Sequence, residues 1–194
     1  MERIIDALGR ILIRDGFTGV GVNAVAREAS VDKVLIYRYF GSMEGLLEAF
    51  REKHEIAPGI RGILDEFPGT SPMCEMVTRL LLRSWAAFRK NKTAQEITRW
   101  ELAENNPLTR AFSRSLEQSE MQALSDRGIF VEKEAIAAVV LLICGLSFIT
   151  LRESVSNPVM GMDFSDPDTV SMIEKVVGDI TRSYFTENDE DACC

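Results

Sequence analysis

The sequence has 194 residues, 46% of them apolar, with six prolines, 13 glycines and a net charge of −8. That is enough apolar material for a real core and too few breakers to interrupt long helices, so a compact helical body, or a small head on a larger body, is expected. Cys74, Cys144, Cys193 and Cys194 follow neither a disulfide framework nor a zinc-ligand spacing, which excludes a disulfide-built scaffold and a zinc module.

The acidic balance argues against a nucleic-acid partner only until its distribution is considered. Residues 1–54 hold eight Lys/Arg and eight Asp/Glu, whereas residues 55–194 hold 14 against 22. Phosphate contacts act locally, so a neutral head on an acidic body is compatible with DNA. Met1–Gly16 is amphipathic with interspersed charges, unlike a signal peptide, and a reducing cytoplasm is the expected location. The longest uncharged run, Ala135–Leu151, has 17 residues, short of the roughly 20 that a membrane span needs, and reads as a buried helix.

In chain order, Ile4, Leu8, Ile11 and Leu12 space a first helix that Gly16 stops. Val22, Val25, Ala26 and Ala29 form a short second stripe, followed by a break at Ser30-Val31. Asp32 caps a third helix ending near Phe40, and Ser42 caps a fourth carrying Leu46, Leu47 and Phe50. A short helical connector is expected within Gly59–Pro72. Helices then follow at Met73–Lys90, Ala94–Glu104, Leu108–Ser125, Glu132–Glu153 and Asp168–Phe185, separated by breakers such as Asn106-Pro107 and Gly128. The acidic end from Glu187 reads as a frayed tail. The domain expectation is a head at 1–48, a helical body at 49–187 and a tail at 188–194.

Residues 22–40 carry the functional signal, because two short helices around a tight break form a helix-turn-helix. Ala26 and Ala29 allow close crossing, Val31 plugs the corner, and Ile36 and Phe40 close the core. Val34 and Arg38 then point furthest outward, with Leu35 beside them and Lys33 and Tyr37 flanking. Aliphatic groups on an exposed arc suit thymine methyls in a major groove, so Val34 and Leu35 are assigned to base edges. Lys33, Tyr37 and Ser42 are assigned to phosphates, and Asn23, Asp32, Arg38 and Tyr39 complete the candidate DNA-binding set. The same pattern also fits a plain helical hairpin with a solvated face.

The residues Gly16-Phe17, Val22–Ala29, Val31-Asp32-Lys33 and Ile36-Tyr37-Arg38-Tyr39-Phe40-Gly41-Ser42-Met43-Glu44-Gly45-Leu46-Leu47 resemble the head of the TetR family of transcription regulators. Three positions depart from that pattern. Gly21 stands where the family usually has threonine, Ser30 where the turn usually has glycine, and Met43 where a lysine commonly touches phosphate.

The resemblance implies an all-α protein of about nine helices, with a helix-turn-helix head and a larger ligand-binding and dimerisation body. In the body, Met76, Trp85, Phe88, Trp100, Phe112, Met121 and Phe148 are candidates for an apolar ligand chamber. Ala135, Ala138, Val139, Leu142 and Leu146 form one small-and-apolar seam, and Val170, Ile173, Val177 and Ile180 a second. Paired with a second copy, the two seams would build a four-helix dimer interface. The expected function is a repressor released from a palindromic double-stranded operator by a small apolar or amphipathic effector, with no cofactor and no membrane. The alternative is a helical small-molecule-binding or adaptor protein without regulated DNA binding.

No catalytic residues are assigned. The sole histidine, His54, reads as a helix-end surface residue, and no G-x-G-x-x-G or P-loop occurs. Arg99-Trp100-Glu101 with Glu104 reads as a solvated or pocket-rim helix face. Cys193-Cys194 lack a third ligand at metal-binding spacing, and no metal site is assigned.

Overall fold

The computed structural model describes residues 1–54, 60–67, 71–105, 107–126, 132–156 and 158–185. Among these the chain is helical, with a single bridge between Val159 and Met162 as its only extended pairing. The helices are α1 (Glu2–Asp15), α2 (Val22–Ala29), α3 (Lys33–Phe40), α4 (Met43–Lys53), α5 (Ile60–Leu64), α6 (Met73–Lys90), α7 (Lys92–Ala103), α8 (Pro107–Asp126), α9 (Lys133–Glu153) and α10 (Pro167–Phe185), with a 3-10 turn at Phe17–Gly19. They form two packed units, Met1–Ala57 with Asn91–Ala123, and Pro58–Lys90 with Leu124–Cys194. The expected tail, 188–194, lies outside the described residues, as do Cys193 and Cys194.

The first unit is built on α1. Its 3–4 spacing buries Ile4, Leu8, Ile11 and Leu12 on one face, against Val25, Ala29, Ile36, Leu46 and Phe50 from α2 to α4. Ile97 of α7 is part of the same core, and Trp100 packs against it. Polar ties set the pitch of α2 on α1. Arg3 donates to the carbonyl of Ala29 at 2.9 Å, and Glu28 accepts from Arg10 at 2.8 Å and Arg14 at 3.3 Å. These ion pairs are exposed and add little beyond orientation.

Two glycines in this unit are required by geometry. Gly16 ends α1 at φ 67°, ψ −168°, a region open essentially to glycine alone. A Cβ there would also lie 2.8 Å from the Trp100 ring. At Gly45, a Cβ would lie 2.1 Å from the Phe40 carbonyl oxygen, so α4 can cross the end of α3 only without a side chain.

Ser30 is the opposite case. It ends α2 in the left-handed region at φ 52°, ψ 51°, with its side chain exposed. Ser30→Gly is expected to stabilise the unit by about 0.5–1 kcal/mol, the relieved left-handed penalty less the entropy that glycine adds to the unfolded chain. Thermal unfolding checks the sign, and a lowered midpoint would contradict this account.

The end of α4 differs from the surface residue expected at His54. The imidazole lies 4.4 Å from the Phe50 ring, and its buried Nε2 has no hydrogen-bond partner among the described residues. Burial pushes the His54 pKa below its ordinary 6.5, helped by Lys53 and opposed by Asp6. The unfolded chain therefore takes the proton more readily. The stability His54 contributes is complete above pH 6.5 and is lost as pH falls through the lower folded value. Melting temperature should fall more steeply between neutral and mildly acidic pH in the parent than in His54→Gln, and parallel profiles would contradict this. The His54 carbonyl accepts from Asn91 Nδ2 at 3.1 Å, while Asn91 Oδ1 accepts from Ala94 N at 3.0 Å. One side chain thus closes α4 and opens α7.

In the second unit, α6, α9 and α10 pack on one another over a core of Val77, Leu81, Trp85, Ala135, Leu146, Val177 and Phe185. Trp85 Nε1 donates to Thr150 Oγ1 at 3.0 Å, and Thr78 and Thr181 share a hydrogen bond between α6 and α10. Arg89 lies over the Trp85 ring and donates to the Phe164 carbonyl at 2.7 Å, fastening the segment before α10.

This packing gives much of the two apolar seams a partner within the chain itself. Ala135, Leu146 and Val177 are buried in the chain's own core, and Val139, Leu142, Val170 and Ile173 pack against it. Ala138 and Ile180 are half-buried. The face left open is a different one. On α9 it comprises Ile136, Val140, Leu141, Ile143 and Phe148, and on α10 Met172, Val176 and Tyr184. The expectation that Ala135–Leu151 is simply buried is corrected with it. α9 has the length and apolar composition of a membrane span, but one face packs on α6 and α10 while the other is exposed.

Candidate functional site

The outward surface of α3 is set by its caps. Asp32 Oδ1 accepts from Val34 N at 2.8 Å, and Ser42 Oγ accepts from Gly45 N at 3.1 Å to start α4. Both residues therefore spend an acceptor on a helix end. Ile36 is fully buried and fixes the rotation of the helix. That rotation exposes Lys33, Val34 (62% exposed), Tyr37, Arg38 and Tyr39. Arg38 stacks on the Tyr39 ring with 5.0 Å to its centroid and donates to its hydroxyl at 3.1 Å, which restrains both side chains. Asn23 is exposed on α2. Leu35 departs from its assignment to base edges, being half-buried against the head core. Met43 also packs partly on that core.

The candidate chamber residues are divided between the two units. Met76, Trp85, Phe88 and Phe148 belong to the second unit, and Trp100 and Met121 to the first. Trp85 is a core residue with its N–H satisfied by Thr150. Met76 and Phe88 are half-buried, whereas Phe148 is 62% and Met121 59% exposed. Trp100 packs beside Gly16 with Nε1 buried. The Phe112 side chain lies outside the described residues.

Within the first unit, the elbow of α7 and α8 forms an open cavity of about 540 Å³ bordered by Glu101, Glu104, Asn105, Arg110, Ser113 and Arg114. The pocket-rim reading of Glu101 and Glu104 agrees with this placement, but Arg110 and Arg114 carried no spacing signal in the sequence. Glu101 accepts from Ser113 Oγ at 2.7 Å, and burial raises its pKa above the usual carboxylate value, with Glu117 adding to the rise and Ser113 opposing it. Among the described residues no cluster of three metal-ligating side chains occurs.

A short helix buried against α1, a tight left-handed turn and a second helix with an exposed aromatic-and-basic face define the class of helix-turn-helix proteins. Residues 4–50 match the family model of bacterial regulatory proteins, tetR family. The match is confined to the head of the chain. An HTH-type transcriptional regulator of Haemophilus influenzae is 29% identical over 93 residues, 47% of this chain and 49% of that protein. The HTH-type transcriptional regulator YvkB of Bacillus subtilis is 31% identical over 68 residues, 35% of either chain. The match thus spans half or less of these relatives. Among solved structures, the transcriptional regulator FadR of Bacillus subtilis, in complex with stearoyl-CoA, superposes with a TM-score of 0.61 at 17% identity, covering 95% of this chain and 99% of that one. A TetR-like transcriptional regulator from a Rhodococcus species gives 0.54 at 14% identity, covering 94% and 93%. These likenesses extend the same all-helical fold beyond the head.

Proposed function

We propose that this protein is a ligand-responsive DNA-binding transcription regulator, a homodimer that represses from a palindromic operator and leaves it when a small apolar or amphipathic molecule binds the body. The outward face of α3 carries the reading. Lys33, Val34, Tyr37 and Arg38 are exposed together on a helix whose opposite side is locked by Ile36. An exposed valine beside basic and phenolic groups gains nothing in water but meets thymine methyls and phosphates in a groove. Support for the dimer comes from the open apolar face of α9 and α10, and support for an amphipathic effector from the likeness of fold to a FadR that holds stearoyl-CoA.

Selection on random duplexes should return a palindrome whose half-sites face successive major grooves. Lys33→Ala should weaken all duplexes alike and lower the salt slope by about one. Val34→Ser should change sequence preference instead, by about 1 kcal/mol for the lost methyl contacts. If no palindrome emerges at low salt, or if both variants bind like the parent, α3 is not the reading helix.

A further inference from the structure

The geometry points to a second ligand site, distinct from any apolar chamber. We propose that the α7–α8 elbow binds a small anion, a carboxylate or a phosphate ester, gripped by Arg110 and Arg114. Acids outnumber bases in this chain, and guanidinium groups usually find one. Arg79, Arg83, Arg89, Arg99 and Arg182 each meet a carboxylate. Arg110 and Arg114 lie on successive turns of α8, and neither meets a carboxylate among the described residues. Arg110 donates to Asn105 Oδ1, and Arg114 Nε to the Arg110 carbonyl at 3.1 Å. Those bonds steady the two side chains while leaving further N–H donors of each uncommitted. Both border the 540 Å³ cavity, a size that suits a small molecule.

The carboxylates on the same rim are already engaged. Glu101 is held by Ser113, and Glu104 accepts from Thr18 Oγ1 at 3.4 Å. The groups left to recognise a ligand are therefore cationic, and a planar guanidinium fork matches a carboxylate or phosphate through two parallel hydrogen bonds. A cationic ligand would meet two positive charges beside it. Burial raises the Glu101 pKa above the usual carboxylate value.

Glu104 gives the site a route to the head, because the carboxylate that borders the cavity also reaches Thr18 and lies against Gly16 at the end of α1. This coupling rests on the DNA-binding reading above, whereas the anion site does not.

The test uses the full chain. Inorganic phosphate and succinate are titrated separately at constant ionic strength, with heat of binding and thermal shift as readouts. At least one probe should bind the parent and raise its melting temperature, and which one binds separates phosphate from carboxylate recognition. Arg110→Ala with Arg114→Ala should weaken binding roughly tenfold or more, and the double lysine variant should recover only part of it, charge without the fork. Arg152→Ala, which removes another exposed guanidinium, should leave binding unchanged. Absence of binding by both probes, or an equal loss in Arg152→Ala, overturns the site. Duplex binding with and without the bound probe then tests the coupling. The probe should shift it in the parent and not in Glu104→Gln, and an unchanged parent overturns the coupling. Anion binding in a protein that holds no duplex would count against the DNA reading and leave the anion site standing.

Discussion

Gly16→Ala is expected to destabilise the first unit by about 3–5 kcal/mol, a large share of the 5–15 kcal/mol typical of a folded domain. Two costs combine. The backbone at φ 67°, ψ −168° is closed to alanine, and the new methyl would press on the Trp100 ring and on Glu104 Oε1. The Glu104 side chain can swing away, surrendering its bond to Thr18, but the ring is packed against the head core. Trp100→Leu should therefore rescue the steric part and leave the backbone part, a non-additivity that a double-mutant cycle in urea reads directly. Purely additive effects would show that Trp100 and Gly16 do not press on each other.

Val140→Glu combined with Phe148→Glu is expected to leave each chain folded and to abolish the proposed dimer. Both side chains are at least half exposed in the single chain, so a carboxylate in either place is solvated until a second copy covers it. Two-fold symmetry would bring four carboxylates into one interface, and at several kcal/mol per buried unpaired ion the pairing fails. Leu142→Glu with Val177→Glu should act differently, because these residues pack on α6 within one chain, and the loss should be of folding itself. Sedimentation and circular dichroism together separate the outcomes. A folded dimer with charges at Val140 and Phe148 would remove the α9–α10 face as the interface.

The contrast between those two pairs shows where the sequence was legible. Helix ends were readable because their signals are local. Asp32, Ser42 and Gly16 each end or start an element through atoms two to four residues away. The outward set on α3 was readable for the same reason, apart from Leu35, which lies at the margin of the arc and turns half inward. On α9 the spacing of Ala135, Val139, Leu142 and Leu146 is a true helical face, but Ile136, Val140, Ile143 and Phe148 make another. When both faces are apolar, periodicity cannot say which meets the chain's own α6 and which stays open. The elbow site was hidden for a different reason. Arg110 and Arg114 are picked out by their place on the rim of the elbow cavity, and that requires coordinates.

The head's reliance on α7 has a consequence for synthesis. Ile97 sits in the core that α1 to α4 begin, and Asn91 holds the last turn of α4, yet both emerge from the ribosome some forty residues after that turn is made. A nascent chain halted after α4 would expose the patch that Ile97 later covers. The head reaches its finished form only when a stretch encoded well downstream returns to it.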